Sequence, residues 1–451
     1  MKKILAIFAA VVALASCQKT VPATIPAHIK DGKIVLETPK RAPGQESALG
    51  MKCDPIDTVR IGFVGVGGRG AFAVQRYTCI DGVKIVAVCD EKQERVDYCN
   101  EILAGRGLPA ADTYVGSEAY KELCQREDID LVYVCTDWLD HVPVAVCAME
   151  NGHHAAIEVP GATTLEECWQ IVNTSEKTRR HCMMLENCCY DFFEMAALNM
   201  AQHGLFGEVY HVEGAYIHFL AEDWSWSETW RVDYNIAHRG DNYPTHGLGP
   251  ICQALDIHRG DRMKYLVAMD TPSYNGKVAA KKFRDLDDCK DGDHTISLIQ
   301  TEKQKVIEVQ HNVYAYRPYT RMYQLTGTEG FANKYPQEGI SIKGINGHEY
   351  VSKEVMDSLL VEYLPDFAKE IEDKAKTVGG HGGMDYIMDY RLIYCLRNGL
   401  PLDQDVYDAA EWSAVAELSR ISLENGSMPV EFPDFTRGDW DKTDGFKYAF
   451  K

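Results

Sequence analysis

The chain has 451 residues, enough for two or three domains each with its own core. It carries 67 acidic against 47 basic residues, a formal net charge of −20, which argues against a nucleic-acid partner. Its 15 cysteines contain no Cys-x-x-Cys pair, and Cys89, Cys135, Cys147, Cys168 and Cys395 sit in apolar strand-like or helix-like runs, so buried thiols are expected and a metal site is not.

Residues 1–17 read as an export signal. Lys2 and Lys3 precede the apolar run 4–15, which is too short to span a bilayer as a mature anchor. Its ending, Leu14-Ala15-Ser16-Cys17, resembles a bacterial lipoprotein signal. That resemblance implies a lipidated Cys17 as the mature N-terminus, and Gln18 after it implies outer-membrane sorting. The expected location is therefore the cell envelope, with membrane contact through Cys17 only. Residues 18–57, rich in Pro, Lys, Thr and Ala without an apolar period, read as a tether.

The strand-like run Val59-Arg60-Ile61-Gly62-Phe63-Val64 ends in Gly65-x-Gly67-x-x-Gly70, with a helical segment over 71–78. This order suits a dinucleotide: Gly65 makes the tight turn, Gly67 lets backbone approach a pyrophosphate, and Gly70 lets helix pack on strand. The helix N-terminus then faces the phosphates. A second apolar run, 83–89, ends at Asp90, twenty residues past Gly70, where an acid accepts ribose hydroxyls. NAD is favoured over NADP; Arg69 would suit a 2′-phosphate, but Asp90 opposes it by repulsion.

A helix over 91–104, a short strand at 113–115, a helix over 118–126 and a strand over 129–135 follow. The alternation predicts an α/β fold whose domain 58–187 is a Rossmann dinucleotide-binding unit with a buried parallel sheet. Ligands bind at the carboxyl ends of such strands, so Trp138 and His141 are candidates for a nicotinamide wall, a surface Trp or a helix-capping His being the alternative. The helix 142–151 ends at Gly152, and the strand 153–157 runs into Glu158-Val159-Pro160-Gly161.

Strand, Glu-x-Pro, then a helix opened by Thr163-Thr164 with Glu166-Glu167 resembles the Gfo/Idh/MocA oxidoreductases, whose motif is Glu-Lys-Pro. In that family the lysine hydrogen-bonds the reacting hydroxyl and helps to move its proton; Val159 can do neither. One branch lacks the lysine, the NAD-dependent glycosidases of glycoside hydrolase family 109, known for α-N-acetylgalactosaminidase activity. The sequence is similar to them along nearly its whole mature length. The resemblance rests on Thr164-Leu165-Glu166-Glu167-Cys168-Trp169, Leu185-Glu186-Asn187-Cys188-Cys189-Tyr190, Leu205-Phe206-Gly207-Glu208, Trp230-Arg231, Tyr243-Pro244-Thr245-His246-Gly247 and Gly380-His381-Gly382-Gly383-Met384-Asp385-Tyr386, with Val406-Tyr407-Asp408 and Pro433-Asp434-Phe435-Thr436 extending it.

Past Asn187 the pattern changes. A helix over 193–203 ends at Gly204, and 208–219 alternates in strand fashion with Tyr216 in it. Strands near 264–269, 295–301, 305–311 and 321–326 follow without regular helices between them. They predict an α+β domain over 188–451 with a largely antiparallel open sheet. Helices over 385–398 and 407–424 return to cover the core, with Gly399 and Pro401 marking the break.

Glycoside hydrolysis normally needs two carboxylates flanking the bond, and the sequence alone singles out no such pair. The resemblance implies another route, a redox-neutral cycle. The sugar is oxidised at C3 by a tightly bound, recycled NAD; the acidified C2 proton is lost with expulsion of the anomeric group; water adds and the sugar is reduced again. The same resemblance implies that His246 and Tyr216 are the acid/base pair, groups suited to moving protons near neutrality. It places Tyr216, Tyr243 and Tyr323 at the sugar. Around the cofactor it adds Glu158, Val159, Asn187, Arg231, Tyr243 and His246 to Gly65, Gly67, Arg69, Gly70, Asp90, Trp138 and His141. The Asp expected four residues before the superfamily's histidine is Asn242, and a satisfied core histidine is the alternative for His246. Trp224, Trp226 and Trp230 suit either a sugar platform or core packing. The implied substrate is an α-linked N-acetylgalactosamine or related hexose in a glycan or glycoside, and self-association through the open sheet is implied as well. Competing readings are a conventional NAD-dependent sugar or cyclitol dehydrogenase, which Val159 disfavours, and a non-catalytic sugar-binding lipoprotein.

Overall fold

The structure, a computed structural model, describes residues 27–221, 229–443 and 445. Two sheets organise the chain. The first is built from β3 (Val59–Val64), β4 (Val83–Asp90), β5 (Asp112–Val115), β6 (Leu131–Val134), β7 (His154–Ile157) and β8 (Cys182–Met184), after a hairpin of β1 (Ala27–Lys30) and β2 (Lys33–Leu36). Its order is β5-β4-β3-β6-β7-β8, and every pairing is parallel. All of β6 and β7 is buried, Tyr133 and His154 included, as their largely apolar runs allow when helices cover both faces of a sheet. The strand order reverses between β3 and β6, and their carboxyl ends form the crevice where such sheets bind ligands. Local signals place the helices around it. Asp137 caps the helix Trp138–Glu150, and Thr164 with Glu167 forms a capping box that opens the helix Leu165–Thr178.

The second sheet has ten strands in the order β1-β2-β16-β10-β11-β12-β9-β13-β14-β15. Its further members are β9 (Val209–Ile217), β10 (Met263–Asp270), β11 (Thr295–Thr301), β12 (Val306–Asn312), β13 (Thr320–Gly327), β14 (Gly330–Asn333), β15 (Gly339–Ile342) and β16 (Val430–Glu431). Only β9–β12 and β2–β16 are parallel, so the sheet is mixed and mostly antiparallel. Buried and more exposed residues alternate along β11 and β12, as in a sheet with one covered face. The helix Thr245–Ala254 presses on that covered face so closely that backbones touch. A Cβ on Gly214 would lie 2.2 Å from the Gly247 carbonyl oxygen, and one on Gly247 would lie 2.5 Å from the Ala215 nitrogen. Two glycines thus bring His246 beside Tyr216. The helix Val406–Glu424 packs on β8, β10 and the helix Leu165–Thr178, joining the two sheets.

The structure departs from several expectations. The stretch 27–57, expected as a tether, lies on the folded body: Ile34 pairs with Val430, Ala48 and Met51 are buried, and the Ala48 N–H donates to the Tyr407 hydroxyl at 2.9 Å. Short apolar pairs in a polar segment carry too little periodicity to announce such docking. A helix, Asn275–Arg284, does stand between β10 and β11, its Lys- and Arg-rich outer face hiding the small buried stripe of Gly276, Ala279 and Ala280. Two further helices, Lys353–Tyr363 and Asp366–Val378, precede the helix Met384–Asn398. Residues 1–17, expected as an export signal ending at Cys17, lie outside the described residues. The 14 described cysteines are all free thiols, and no helix among the described residues is long and apolar enough to cross a membrane.

Candidate functional site

The glycine loop is shaped by contacts that side chains would break. Gly65 has φ +81°, and a Cβ there would lie 2.6 Å from the Cys135 backbone, so the turn rests against the end of β6. A Cβ on Gly70 would lie 2.1 Å from the Gly65 carbonyl oxygen, which makes glycine obligatory for the close helix–turn contact. Gly67 caps the helix Gly68–Tyr77 without a side chain, and a Cβ on Gly68 would meet nothing within 4 Å. A bare helix N-terminus with an open face in front of it suits a pyrophosphate. Asp90, buried at the end of β4, accepts from the Val66 N–H at 2.9 Å and the Lys92 N–H at 3.1 Å, with Arg95 at 3.2 Å. The cradle that a dinucleotide needs is therefore present.

Arg69 points away from a 2′-phosphate role. Its guanidinium joins Glu158 at 2.7 Å and Asp385 at 2.5 Å. Asp385 in turn accepts from Asn187 Nδ2 at 2.6 Å and lies 3.0 Å from His381 Nδ1. Burial pushes the Asp385 carboxyl up, but the His381 hydrogen bond and the Arg69 and Arg76 charges hold it well below the usual carboxylate range. Glu158 also accepts from the Tyr133 hydroxyl at 3.2 Å, and Val159 beside it is buried. Glu158, Asn187 and Arg69 thus form one polar network at the carboxyl edge of the parallel sheet.

On the facing side, Trp138 stacks on Tyr243 with centroids 5.6 Å apart and planes at 23°. The Arg231 guanidinium sits over both rings, 5.2 Å from Trp138 and 4.5 Å from Tyr243, and 5.9 Å from Tyr216. Trp230 meets the edge of Trp138 at 5.0 Å and stays 38% exposed, while Trp224 and Trp226 lie outside the described residues. His246 stands in the first turn of its helix with Nδ1 2.7 Å from Glu186 Oε1, and its ring is edge-on to Tyr243 at 4.9 Å and Tyr216 at 5.4 Å. Burial pushes the Glu186 carboxyl up, yet the His246 charge and hydrogen bond, with donors from Thr245 and the Cys188 N–H, hold it below its ordinary value. Because the carboxylate accepts at Nδ1, proton exchange with a substrate falls to Nε2. The Tyr216 hydroxyl lies 2.9 Å from His218 Nδ1.

Two expected residues lie elsewhere. His141 is 1% exposed, with Nδ1 2.8 Å from the Pro160 carbonyl and Nε2 3.2 Å from the Thr136 carbonyl. It ties two loops of the Rossmann domain together and offers neither nitrogen to a ligand. Tyr323 is 2% exposed and donates to the Glu194 carbonyl at 3.2 Å, because a bulge with positive φ at Met322 and Tyr323 breaks the pleat of β13. Tyr319, just before β13, is the tyrosine that reaches the cluster, its ring 5.1 Å from His218.

Sequence reasoning also missed Glu186, His218, His381 and Asp385. Glu186 follows β8 as Glu158 follows β7, an acid at the carboxyl end of a parallel strand, and that parallel was readable. Among the described residues, Glu186, Cys188 and His246 place carboxylate, thiol and imidazole atoms within 4.8 Å of one another, a ligand-like grouping. Each is already engaged, Glu186 with His246 and the Cys188 thiol with Asn187 Oδ1 at 3.5 Å.

A family model described as "Glycosyl hydrolase 109, C-terminal domain" matches residues 190–442, and one described as "Oxidoreductase family, NAD-binding Rossmann fold" matches residues 59–186. The chain is 53% identical over 467 residues to "Glycosyl hydrolase family 109 protein 1" of Bacteroides thetaiotaomicron, covering 100% of each. It is 56% identical over 433 residues to "Glycosyl hydrolase family 109 protein" of Porphyromonas gingivalis, covering 92% of each. Among solved structures it resembles myo-inositol dehydrogenase from Lactobacillus casei in complex with NAD(H) and myo-inositol, at 18% identity and a TM-score of 0.58, covering 84% of this chain and 99% of that one. It also resembles an NAD binding oxidoreductase from Klebsiella pneumoniae, at 15% identity and a TM-score of 0.63, covering 83% and 99%. At such identities the likeness is one of fold.

Proposed function

The chain belongs to glycoside hydrolase family 109, and from that premise we propose that it releases α-linked N-acetylgalactosamine, or a related hexose, by a redox-neutral oxidation and elimination cycle. It is a glycoside hydrolase with an NAD-binding domain. The observation that best supports the finer reading is the pairing of His246 with buried Glu186 at 2.7 Å, beside Tyr216. Where the related oxidoreductases carry a lysine, Val159 moves no proton, so that work falls to the facing domain.

Gly65, Gly67, Gly70 and the N–H groups of the first helical turn would hold the pyrophosphate, and Asp90 the ribose. Bound NAD supplies reversible oxidation of the sugar at C3, which acidifies the hydrogen on C2. His246, through Nε2, handles the C3 hydroxyl proton or the C2 proton, and Tyr216 assists. Tyr243 and Arg231 orient the sugar, their stack on Trp138 fixing both. In the net reaction the glycosidic bond and one O–H bond of water break; the hydroxyl goes to C1 and the proton to the departing alcohol.

A cofactor that is held tightly and ends as it began needs no metabolic pool. This accords with a cell-envelope lipoprotein anchored through Cys17, which we include in the proposal together with self-association. The test is release of nitrophenol from a panel of aryl glycosides by the purified NAD-loaded protein. The α-N-acetylgalactosaminide is expected to be cleaved, and His246→Ala to be slower by about 10²- to 10⁴-fold. No release across the panel contradicts the reading, and lasting NADH with a free sugar supports a dehydrogenase instead.

A further inference from the structure

Tyr216 is 5% exposed, and its ring is enclosed by Tyr243, His246 and His311. Burial pushes its phenol up, while the Arg231 charge and hydrogen bond pull it down. A phenol ordinarily ionises near about 10, so a buried phenolate is a costly place to leave a proton vacancy at neutral pH. The hydroxyl needs a partner that takes its proton, and His218 Nδ1 lies 2.9 Å away. The two residues are two positions apart at the end of β9 and share a face of the sheet. Their rings meet edge to face at 5.6 Å, and the half-buried His218 ring also meets Tyr319 edge to face at 5.1 Å.

We propose that His218 is the proton reservoir behind Tyr216, a positioning residue that lets the tyrosine act as a base without becoming a lasting phenolate. The inference rests on the glycosidase reading. As Tyr216 oxygen takes a substrate proton, the substrate X–H bond breaks and a new O–H bond forms; the phenol's own O–H bond breaks and an N–H bond forms at His218 Nδ1. The substrate keeps the electron pair and the positive charge rests on imidazole. The reverse transfer donates a proton to the sugar later in the cycle, so no external acid, base or oxidant is consumed. An imidazole suits this part because its ordinary ionisation lies near about 6.5.

Other groups face the pair. Arg231 stands on the helix Trp230–Ala237, and His246, backed by Glu186, on the helix Thr245–Ala254. His311 is the register partner of Tyr216 on β12, and burial pushes it down to about 3, so it stays neutral. Tyr319 lies next to Arg321, which is neutralised by Glu194 at 2.5 Å. Protonation of His218 would therefore silence the pair on the acid side.

The discriminating variant is His218→Asn, whose side-chain oxygen keeps an acceptor near the Nδ1 position but holds no proton. With NAD-loaded full-length protein, the acid limb of kcat/KM on the aryl glycoside is expected to lose one ionisation in H218N relative to wild type. The rate should fall about 10²- to 10³-fold with KM and NAD content unchanged. An unaltered acid limb, or an effect confined to KM, overturns the proposal. A second readout needs no turnover: ¹⁵N spectra of histidine-labelled protein should show His218 Nδ1 unprotonated at neutral pH, and Tyr216→Phe should shift its titration. A protonated Nδ1 overturns the proposal even if H218N fails to fold. An inactive wild type with the expected Nδ1 signal would instead contradict the glycosidase reading and leave the Tyr216–His218 proton pair intact.

Discussion

Glu186, at the end of the last parallel strand, places a carboxylate oxygen 2.7 Å from Nδ1 of His246 on a helix of the other domain. The acid therefore comes from the end of the parallel sheet and the histidine from the domain that holds the mixed sheet. Their hydrogen bond fixes which imidazole nitrogen meets the substrate.

Glu186→Gln should keep the shape of that contact and lose its charge. A hydrogen bond to a charged group contributes roughly 1.5–3 kcal/mol, so kcat/KM should drop about 10- to 100-fold with KM little changed. His246→Ala should cost about 10²- to 10⁴-fold. Steady-state kinetics on an aryl glycoside check both, and equal, negligible losses would contradict the assignment.

Gly70→Ala places a Cβ against the Gly65 carbonyl oxygen, at 2.1 Å, and neither backbone can yield without opening the phosphate loop. The expected outcome is protein that purifies without NAD and does not regain it by dialysis. Gly68→Ala, where a Cβ meets nothing within 4 Å, should leave thermal stability unchanged and serves as the control.

Tyr319→Ala should raise KM for the glycoside, because Tyr319 packs on His218 at the rim of the site. Tyr323→Phe should leave KM unchanged and cost about 1 kcal/mol of stability through the lost hydrogen bond to the Glu194 carbonyl. A reversed pattern would put Tyr323 back at the sugar.

Asp241 sits fully buried just ahead of Tyr243, and burial pushes its carboxyl up to about 7. Folded, the group is neutral up to that pH; unfolded, it ionises from its ordinary value of 3.8. Its contribution is therefore fully present below the unfolded pKa and is lost as pH rises toward about 7. Asp241→Asn should match wild type near about pH 4 and exceed it by a few kcal/mol near about pH 9. Thermal melts across that range check the sign.

The parallel domain was legible because its signals are local. Gly65, Gly67 and Gly70 each answer a steric demand within a single turn, Asp90 ends a mostly apolar strand, and Thr164 with Glu167 writes a capping box into four residues. What escaped depends on contacts distant in sequence or on broken periodicity. The hairpin of β1 and β2 is stabilised by Val430, far away in the chain. Tyr323 follows the strand alternation on paper, but the bulge at Met322 turns it onto Glu194. His141 looked like a ligand because a polar ring stood at the right loop; the carbonyls of Thr136 and Pro160 that occupy it come from separate loops. Conversely, His246 and Tyr216 meet because Gly214 and Gly247 let two backbones touch, a reason for glycine that neither strand nor helix pattern announces.

The most direct test of the account is made with mature, NAD-loaded protein and para-nitrophenyl α-N-acetylgalactosaminide in deuterated water, following the released sugar by NMR and the absorbance of reduced cofactor together. Transient oxidation at C3 predicts sugar carrying deuterium at C2 and no lasting NADH. Release of sugar with hydrogen retained at C2 would contradict it and point to direct displacement at the anomeric carbon.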